Sequence, residues 1–163
     1  MVHQVRRARL DDAEEIRRIY NVEVTTSTVT MDLVPRTIED QRDWIAARSG
    51  AHAVLVAECA GRVVGFGSLS PWRPRPAYSP TVEDSVYVDR DHHGRGVGFD
   101  LLSCLVETAR AHGFHSVMAR IAAGHAPSRG LHERLGFVLV GTEVEVARKF
   151  GRWIDIDVLQ LRL

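Results

Sequence analysis

The chain is 163 residues long, 45% hydrophobic and 26% charged, which fits one globular domain over residues 1–163 and excludes a disordered chain. Its 21 basic and 21 acidic residues cancel, so a general electrostatic grip on nucleic acid or on a membrane surface is not expected. The longest strictly apolar run, residues 53–57, cannot cross a bilayer, no apolar signal segment leads the chain, and Cys59 and Cys104 lack CxxC spacing; the expectation is a cytoplasmic protein without a disulfide framework or thiolate zinc site.

Residues 3–8 read as a first strand. A helix follows from about Asp11, with Asp11 or Asp12 as its cap and Ala13, Ile16, Ile19 and Tyr20 at helical spacing; the polar stretch 25–30 ends it. A second helix is predicted over 38–48, capped by Thr37 with Asp40 at the capping-box position. The period then changes. Residues 53–58 and 62–69 are β-rich runs joined by a tight turn, a predicted hairpin. Four prolines within residues 71–80 exclude helix and central strand there. Residues 82–88 form another strand, and a helix with Phe99, Leu102, Leu105, Val106 and Ala109 on one face runs to about His112, where Gly113 stops it. A strand over 116–122, a short helix over 128–135 closed by Gly136, and two strands over 137–146 and 153–161 complete the chain. This order predicts a mixed α/β fold with a largely antiparallel sheet, not a doubly wound parallel one.

The most informative segment is His93-Gly94-Arg95-Gly96-Val97-Gly98, between a strand and a helix. Glycines let backbone pass close to a ligand, and free N–H groups at a helix start attract phosphate. A phosphate cradle and a plain glycine-requiring turn are the two readings. No lysine follows at Walker spacing, and GxGxG is not the dinucleotide GxGxxG.

The segment resembles the acetyl-CoA loop of the GNAT N-acetyltransferases, [Gln/Arg]-x-x-Gly-x-[Gly/Ala], with His93 at the Gln/Arg position and Gly96 and Gly98 matching. Ser85-Val86-Tyr87-Val88 resembles the strand whose bulge meets the pantetheine arm, and Leu131-His132-Glu133-Arg134-Leu135-Gly136-Phe137 resembles Leu-Tyr-Glu-x-Leu-Gly-Phe. Thr26-Ser27-Thr28-Val29, Pro71-Trp72, Arg75, Tyr78, Thr81 to Val88 and Lys149 to Asp155 narrow the resemblance to phosphinothricin and methionine sulfone/sulfoximine acetyltransferases. It implies a GNAT fold, a mostly antiparallel sheet flanked by about four helices. It implies acetyl-CoA as co-substrate, no metal, a small amino-acid-like acceptor and a homodimer.

The resemblance also assigns roles. Glu83 would take the proton of the acceptor ammonium; the alternative is a solvated strand-end carboxylate. His132 would protonate the departing thiolate; the alternative is a half-buried helix histidine bonded to a carbonyl. Val86, Tyr87, Val88, His93, Gly94, Arg95, Gly96, Val97, Gly98, His125 and Ser128 would hold the cofactor, with N–H groups near Val86 to Val88 stabilising the oxyanion. Arg75 and Tyr78 would hold an acidic acceptor, the alternative being a solvated basic loop; on the residues alone, Trp72, Met31 and Val29 either wall the acceptor's methylene portion or pack in the core. Three residues depart from the pattern: His93 replaces Gln or Arg, which the loop should tolerate because backbone amides do most of its work; His125 stands where the family has Asn, which predicts weaker cofactor binding; and Met31 stands near a family aromatic. Cys104 reads as a buried structural cysteine, and Arg148, Lys149, Arg152 and Trp153 as a basic-aromatic cluster. A peptide N-terminus or polyamine as acceptor, or a silent acyl-CoA-binding module, are the competing readings.

Overall fold

A computed structural model describes residues 2–163. Its strands are β1 (Gln4–Arg7), β2 (Val54–Cys59), β3 (Arg62–Pro71), β4 (Thr81–Val88), β5 (Ser116–Ala122), β6 (Val138–Lys149) and β7 (Arg152–Arg162). The helices are α1 (Ala13–Thr26), α2 (Ile38–Ala46), α3 (Val97–Ala111) and α4 (Ala126–Arg134). The strands form one sheet in the order β1-β2-β3-β4-β5-β7-β6, antiparallel except for β4 with β5. The mixed, mostly antiparallel architecture expected from the element order is the one present.

Local chemistry accounts for the boundaries. Thr37 Oγ1 accepts from the Asp40 N–H at 3.1 Å and Asp40 Oδ2 from the Thr37 N–H at 3.0 Å, a closed capping box at the start of α2. Ala60 and Gly61 take φ of 50° and 78°, which gives the β2–β3 turn the twist a two-residue hairpin needs. Several bounds differ from the sequence expectation. β3 runs on to Pro71, paired with Val82, although the prolines predict no central strand from there. α2 ends two residues early, at Ala46. α4 begins two residues early, because His125 caps it and Pro127 fits its first turn. β6 continues to Lys149 through a bulge between Glu143 and Ala147, where Glu145 takes φ 49° and its N–H donates to Asp155 Oδ1 at 2.7 Å.

The alternation of the strands sends side chains into two cores. On one face Leu69, Val82, Val117 and Leu159 pack with Leu101, Leu102 and Leu105 of α3. On the other Val54, Val56 and Phe66 pack with Ile16, Ile19 and Tyr20 of α1 and Ile45 of α2. Helix α3 lies close on β3 because Gly65 and Gly67 present no side chain to it. A Cβ on Gly67 would stand 2.9 Å from Leu105 Cδ1 and 3.0 Å from the Ser85 carbonyl. Gly67→Ala is therefore expected to cost about 1–3 kcal/mol by overpacking, read as a lowered urea midpoint.

Candidate active site

The parallel pairing of β4 with β5 stops at Glu83↔Met118, although both strands run on, to Val88 and Ala122. Past that point they part. The gap opens a cleft of about 1580 Å³, lined by Asp84 to Val88 on one wall, Ala119 to Ala122 on the other, and by the starts of α3 and α4. Strand backbone that has lost its neighbour can serve a ligand instead.

The glycine turn closes one end of this cleft. Gly94 and Gly96 take φ of 72° and 83°, and a Cβ on either would meet nothing within 4 Å, so these glycines are required by backbone conformation and not by crowding. Gly96 is the left-handed N-cap of α3, whose first N–H groups have no side-chain cap. That arrangement suits a phosphate. His93 ties the turn to the end of β4 by donating Nε2–H to the Val88 carbonyl at 3.0 Å. His93, Gly94, Gly96, Val97, Gly98, His125 and Ser128 all line the cleft; Arg95 does not. Tyr87 lines it at the strand, while its ring is stacked on Phe66 at 5.2 Å and meets Tyr20 edge-on at 5.1 Å in the second core.

His132 lies at the inner end of the cleft and is 4% exposed. Its Nδ1–H donates to the Ser128 carbonyl at 2.7 Å, and Nε2 meets Asp84 Oδ2 at 3.0 Å. With Nδ1 committed to a carbonyl, Nε2 donates to the carboxylate as part of an imidazolium. Burial works against that charge, but the Asp84 carboxylate and the Ser128 carbonyl outweigh it and raise the His132 pKa above the ordinary histidine value. Both ring nitrogens thus have protein partners. Asp84 is as deeply buried, and its Oδ1 has no hydrogen-bond partner among the described residues.

Glu83 is on the opposite face of β4. Arg120 of β5 grips its carboxylate from both sides, Nε to Oε1 at 2.9 Å and Nη2 to Oε2 at 3.1 Å. The Glu83 side chain is 16% exposed and paired, so it is not a free solvated carboxylate. Arg120 also stands 5.7 Å from the Trp72 ring, and Arg73 stacks over Trp72 at 5.1 Å and Tyr78 at 5.7 Å. This chain of stacked groups joins the proline-rich 71–80 loop to Glu83. Arg75 and Tyr78 are exposed on that loop, around a short 3₁₀ turn at Pro76–Tyr78. Met31 is not in the cofactor cleft; it packs on Ala122, Ile154 and Ile156.

Comparison with known proteins agrees with this geometry. Residues 5–158 match the acetyltransferase (GNAT) domain family. The chain belongs to the GNAT acetyltransferases. It is 40% identical to the L-methionine sulfoximine/L-methionine sulfone acetyltransferase of Pseudomonas aeruginosa, over all of this chain and 96% of that protein. It is 37% identical to the phosphinothricin N-acetyltransferase of Streptomyces coelicolor, over 94% and 92% of the two chains. The crystal structure of a phosphinothricin acetyltransferase from Sinorhizobium meliloti in complex with acetyl-CoA superposes with a TM-score of 0.95 at 33% identity, covering all of this chain and 89% of the other. The chain is an N-acetyltransferase, and the β4/β5 cleft with its glycine turn fits acetyl-CoA as co-substrate.

Several residues of this GNAT site were not singled out from the sequence. Arg120 and Asp84 are the partners of the two expected catalytic side chains. Glu23, 8% exposed, lines the cleft and is held by Arg90 through Nε and Nη2 at 2.8 and 3.1 Å. The expected basic-aromatic cluster divides: Arg148 stacks outward on Trp153 at 5.3 Å, whereas Lys149 is buried and its ammonium donates to the Thr30 carbonyl at 2.8 Å. Burial lowers the Lys149 pKa, with Asp32 and Glu23 opposing. Cys104 is half-buried, not fully buried as expected, and burial raises its thiol pKa. Among the described residues no His, Cys, Asp and Glu group could hold a metal, and no helix is long and apolar enough to cross a membrane.

His125 caps α4 in place of the family asparagine: its Nδ1 accepts from the Ser128 N–H at 3.3 Å. Burial, with the charge of His93 helping and that of Glu23 opposing, lowers its pKa and keeps Nδ1 unprotonated for that role. His125→Ala is expected to cost about 1 kcal/mol of stability. His125→Asn restores the cap, which thermal unfolding of the two variants side by side will show.

Proposed function

We propose that this enzyme acetylates the α-amine of a small amino-acid-like acceptor, such as methionine sulfone, methionine sulfoximine or phosphinothricin. Transfer is direct, within a ternary complex, and the biological role is detoxification or resistance. The observation that carries this reading is the meeting of the two faces at the point where β4 and β5 separate. Glu83 and Asp84 are adjacent along β4 and point to opposite faces, Glu83 to Arg120 and Asp84 to His132; in this reading the first face takes the acceptor. The full-length similarity to enzymes named for those acceptors supports it.

In this reading Val86, Tyr87 and Val88 present backbone to the thioester, and the α3 N-terminus with Gly94 and Gly96 receives the pyrophosphate. A preorganised N–H near Val86 to Val88 stabilises the oxyanion as it forms. An ammonium is not a nucleophile, so Glu83 takes its proton, directly or through water, with Arg120 holding the carboxylate in place. His132 serves as the proton source for the departing thiolate only if its Nε2–H leaves Asp84, since Nδ1–H is held by the Ser128 carbonyl. Arg75 and Tyr78 meet an acidic end of the acceptor beside Trp72. The measurement is thiol release from acetyl-CoA with methionine sulfone, methionine sulfoximine, phosphinothricin, a short peptide and spermidine. Release with the first three alone is expected. Release only with peptide or spermidine would reject the acceptor assignment, and none at all would favour a silent acyl-CoA-binding module.

A homodimer belongs to the same proposal. β6 is an edge strand, and Val138, Val140, Val144 and Val146 on it are each more than half exposed, beside exposed Phe150 and Trp153. An uncovered apolar edge of that length suits pairing with a second copy. The wild type should sediment as a dimer, and Val140→Lys combined with Val144→Lys should shift it to monomer.

A further inference from the structure

A second, smaller concavity of about 100 Å³ lies under α1 and α2 and adjoins the cofactor cleft at Ser85 and Tyr87. Arg36, Arg48, Ser68, Ser70 and Ser85 line it together with the aromatic residues Tyr20, Trp44, Phe66 and Tyr87. The two guanidiniums stand 4.9 and 4.3 Å from the centre of one indole ring, that of Trp44. Cation–π contact holds both in place without neutralising either.

The charge of this pocket is poorly balanced. Arg48 spends Nη1 on neutral oxygens, the Leu69 carbonyl at 3.2 Å and the Ser70 hydroxyl at 2.9 Å, and leaves Nε and Nη2 without an acceptor among the described residues. Arg36 Nη1 reaches the Gln41 amide oxygen at 3.3 Å, and Asp32 approaches its Nη2 only to 3.8 Å. Asp32 in turn accepts the Tyr20 hydroxyl proton. Burial, and then the like charge of Arg36, lower the Arg48 pKa, which marks a partly desolvated pair of cations. An anion entering between them relieves the repulsion and uses the spare N–H groups.

The size and the neighbours select the anion. A cavity of about 100 Å³ takes one small group, not a whole acceptor. Ser70 is the direct cross-strand partner of Glu83, and Ser68 that of Ser85. Side chains at such positions have Cβ atoms about 5 Å apart. An amino acid carries its ammonium one carbon from its carboxylate. A carboxylate between Arg48 and the serines therefore delivers the ammonium toward Glu83 and the parted strands.

We infer that the pocket formed by Arg36, Arg48, Ser68, Ser70 and Ser85 binds the α-carboxylate of the acceptor. This rests on the reading that the acceptor is amino-acid-like, and it leaves Arg75 and Tyr78 to meet the oxygens at the acceptor's far end. It makes the carboxylate a requirement for efficient acetylation, so a simple amine of the same shape is a poor acceptor.

The test compares L-methionine sulfone with its decarboxylated analogue, 3-(methylsulfonyl)propylamine, at saturating acetyl-CoA. The wild type should prefer the amino acid by about 100-fold in kcat/KM. Arg48→Met and Arg36→Met should each raise KM for the amino acid by at least about tenfold and change the amine by less than about threefold. Arg48→Lys should recover part of the preference. Equal losses on both acceptors, or an undiminished preference in both Met variants, would overturn the inference. A second arm records the acceptor-induced rise in Tm with CoA present. If no amino acid is acetylated but the carboxylate-dependent rise occurs and is lost in Arg48→Met, the pocket stands and the acceptor reading falls. If amino acids are acetylated without regard to the carboxylate, the reverse holds.

Discussion

Glu83→Gln is expected to lower turnover by about 10²–10⁴-fold with any amino-acid acceptor the wild type uses. Acetyl-CoA binding should change little. The substitution preserves shape and leaves one amide oxygen for Arg120, so the loop contacts through Trp72 persist. Lost is a carboxylate able to take a proton, the property the proposed mechanism requires there. Glu83 does not line the cofactor cleft, which is why calorimetry with acetyl-CoA should give a near wild-type affinity. A rate within threefold of wild type, at unchanged affinity, would make Glu83 a structural partner of Arg120 and nothing more.

Asp84→Asn should destabilise the protein by about 3 kcal/mol near pH 6, because it strips the charged partner from a buried imidazolium. The pH dependence has a definite sign. Burial opposes protonation of His132, yet Asp84 and Ser128 leave its pKa raised in the folded state. A raised histidine contributes stability that is complete below the unfolded value of about 6.5 and disappears as pH climbs through the folded value. The gap between wild type and Asp84→Asn should thus be widest at about pH 5.5–6.5 and narrow toward about pH 9. Urea unfolding at the two extremes measures it. The His132 ring should also titrate lower in the variant by NMR. A gap independent of pH would mean that Asp84 stabilises by packing alone.

How much of this was legible in the sequence depends on how local each signal is. The Thr37–Asp40 box, the Ala60-Gly61 turn and the strand–glycine–helix order at residues 82–111 are set by neighbours in the chain, and each is present as expected. The partners of the catalytic candidates are set by register. Arg120 reaches Glu83 across 37 positions because β5 runs parallel to β4, and His132 reaches Asp84 across 48 because α4 packs over the parted strands. No periodicity encodes either pairing. Arg36 and Arg48 flank α2 in the sequence, and no local pattern links them; they converge because both stack on Trp44. Lys149 differs from its place in the basic-aromatic cluster for a related reason: beyond the β6 bulge its side chain turns inward, against the carbonyls of Glu23 and Thr30.

Direct transfer inside one cleft is tested most directly by initial rates with acetyl-CoA and L-methionine sulfone both varied, combined with the intact mass of the protein after acetyl-CoA alone. The account predicts intersecting double-reciprocal lines and an unmodified chain, since the amine attacks the thioester with both ligands bound. Parallel lines with an acetylated protein would show a covalent intermediate and contradict it.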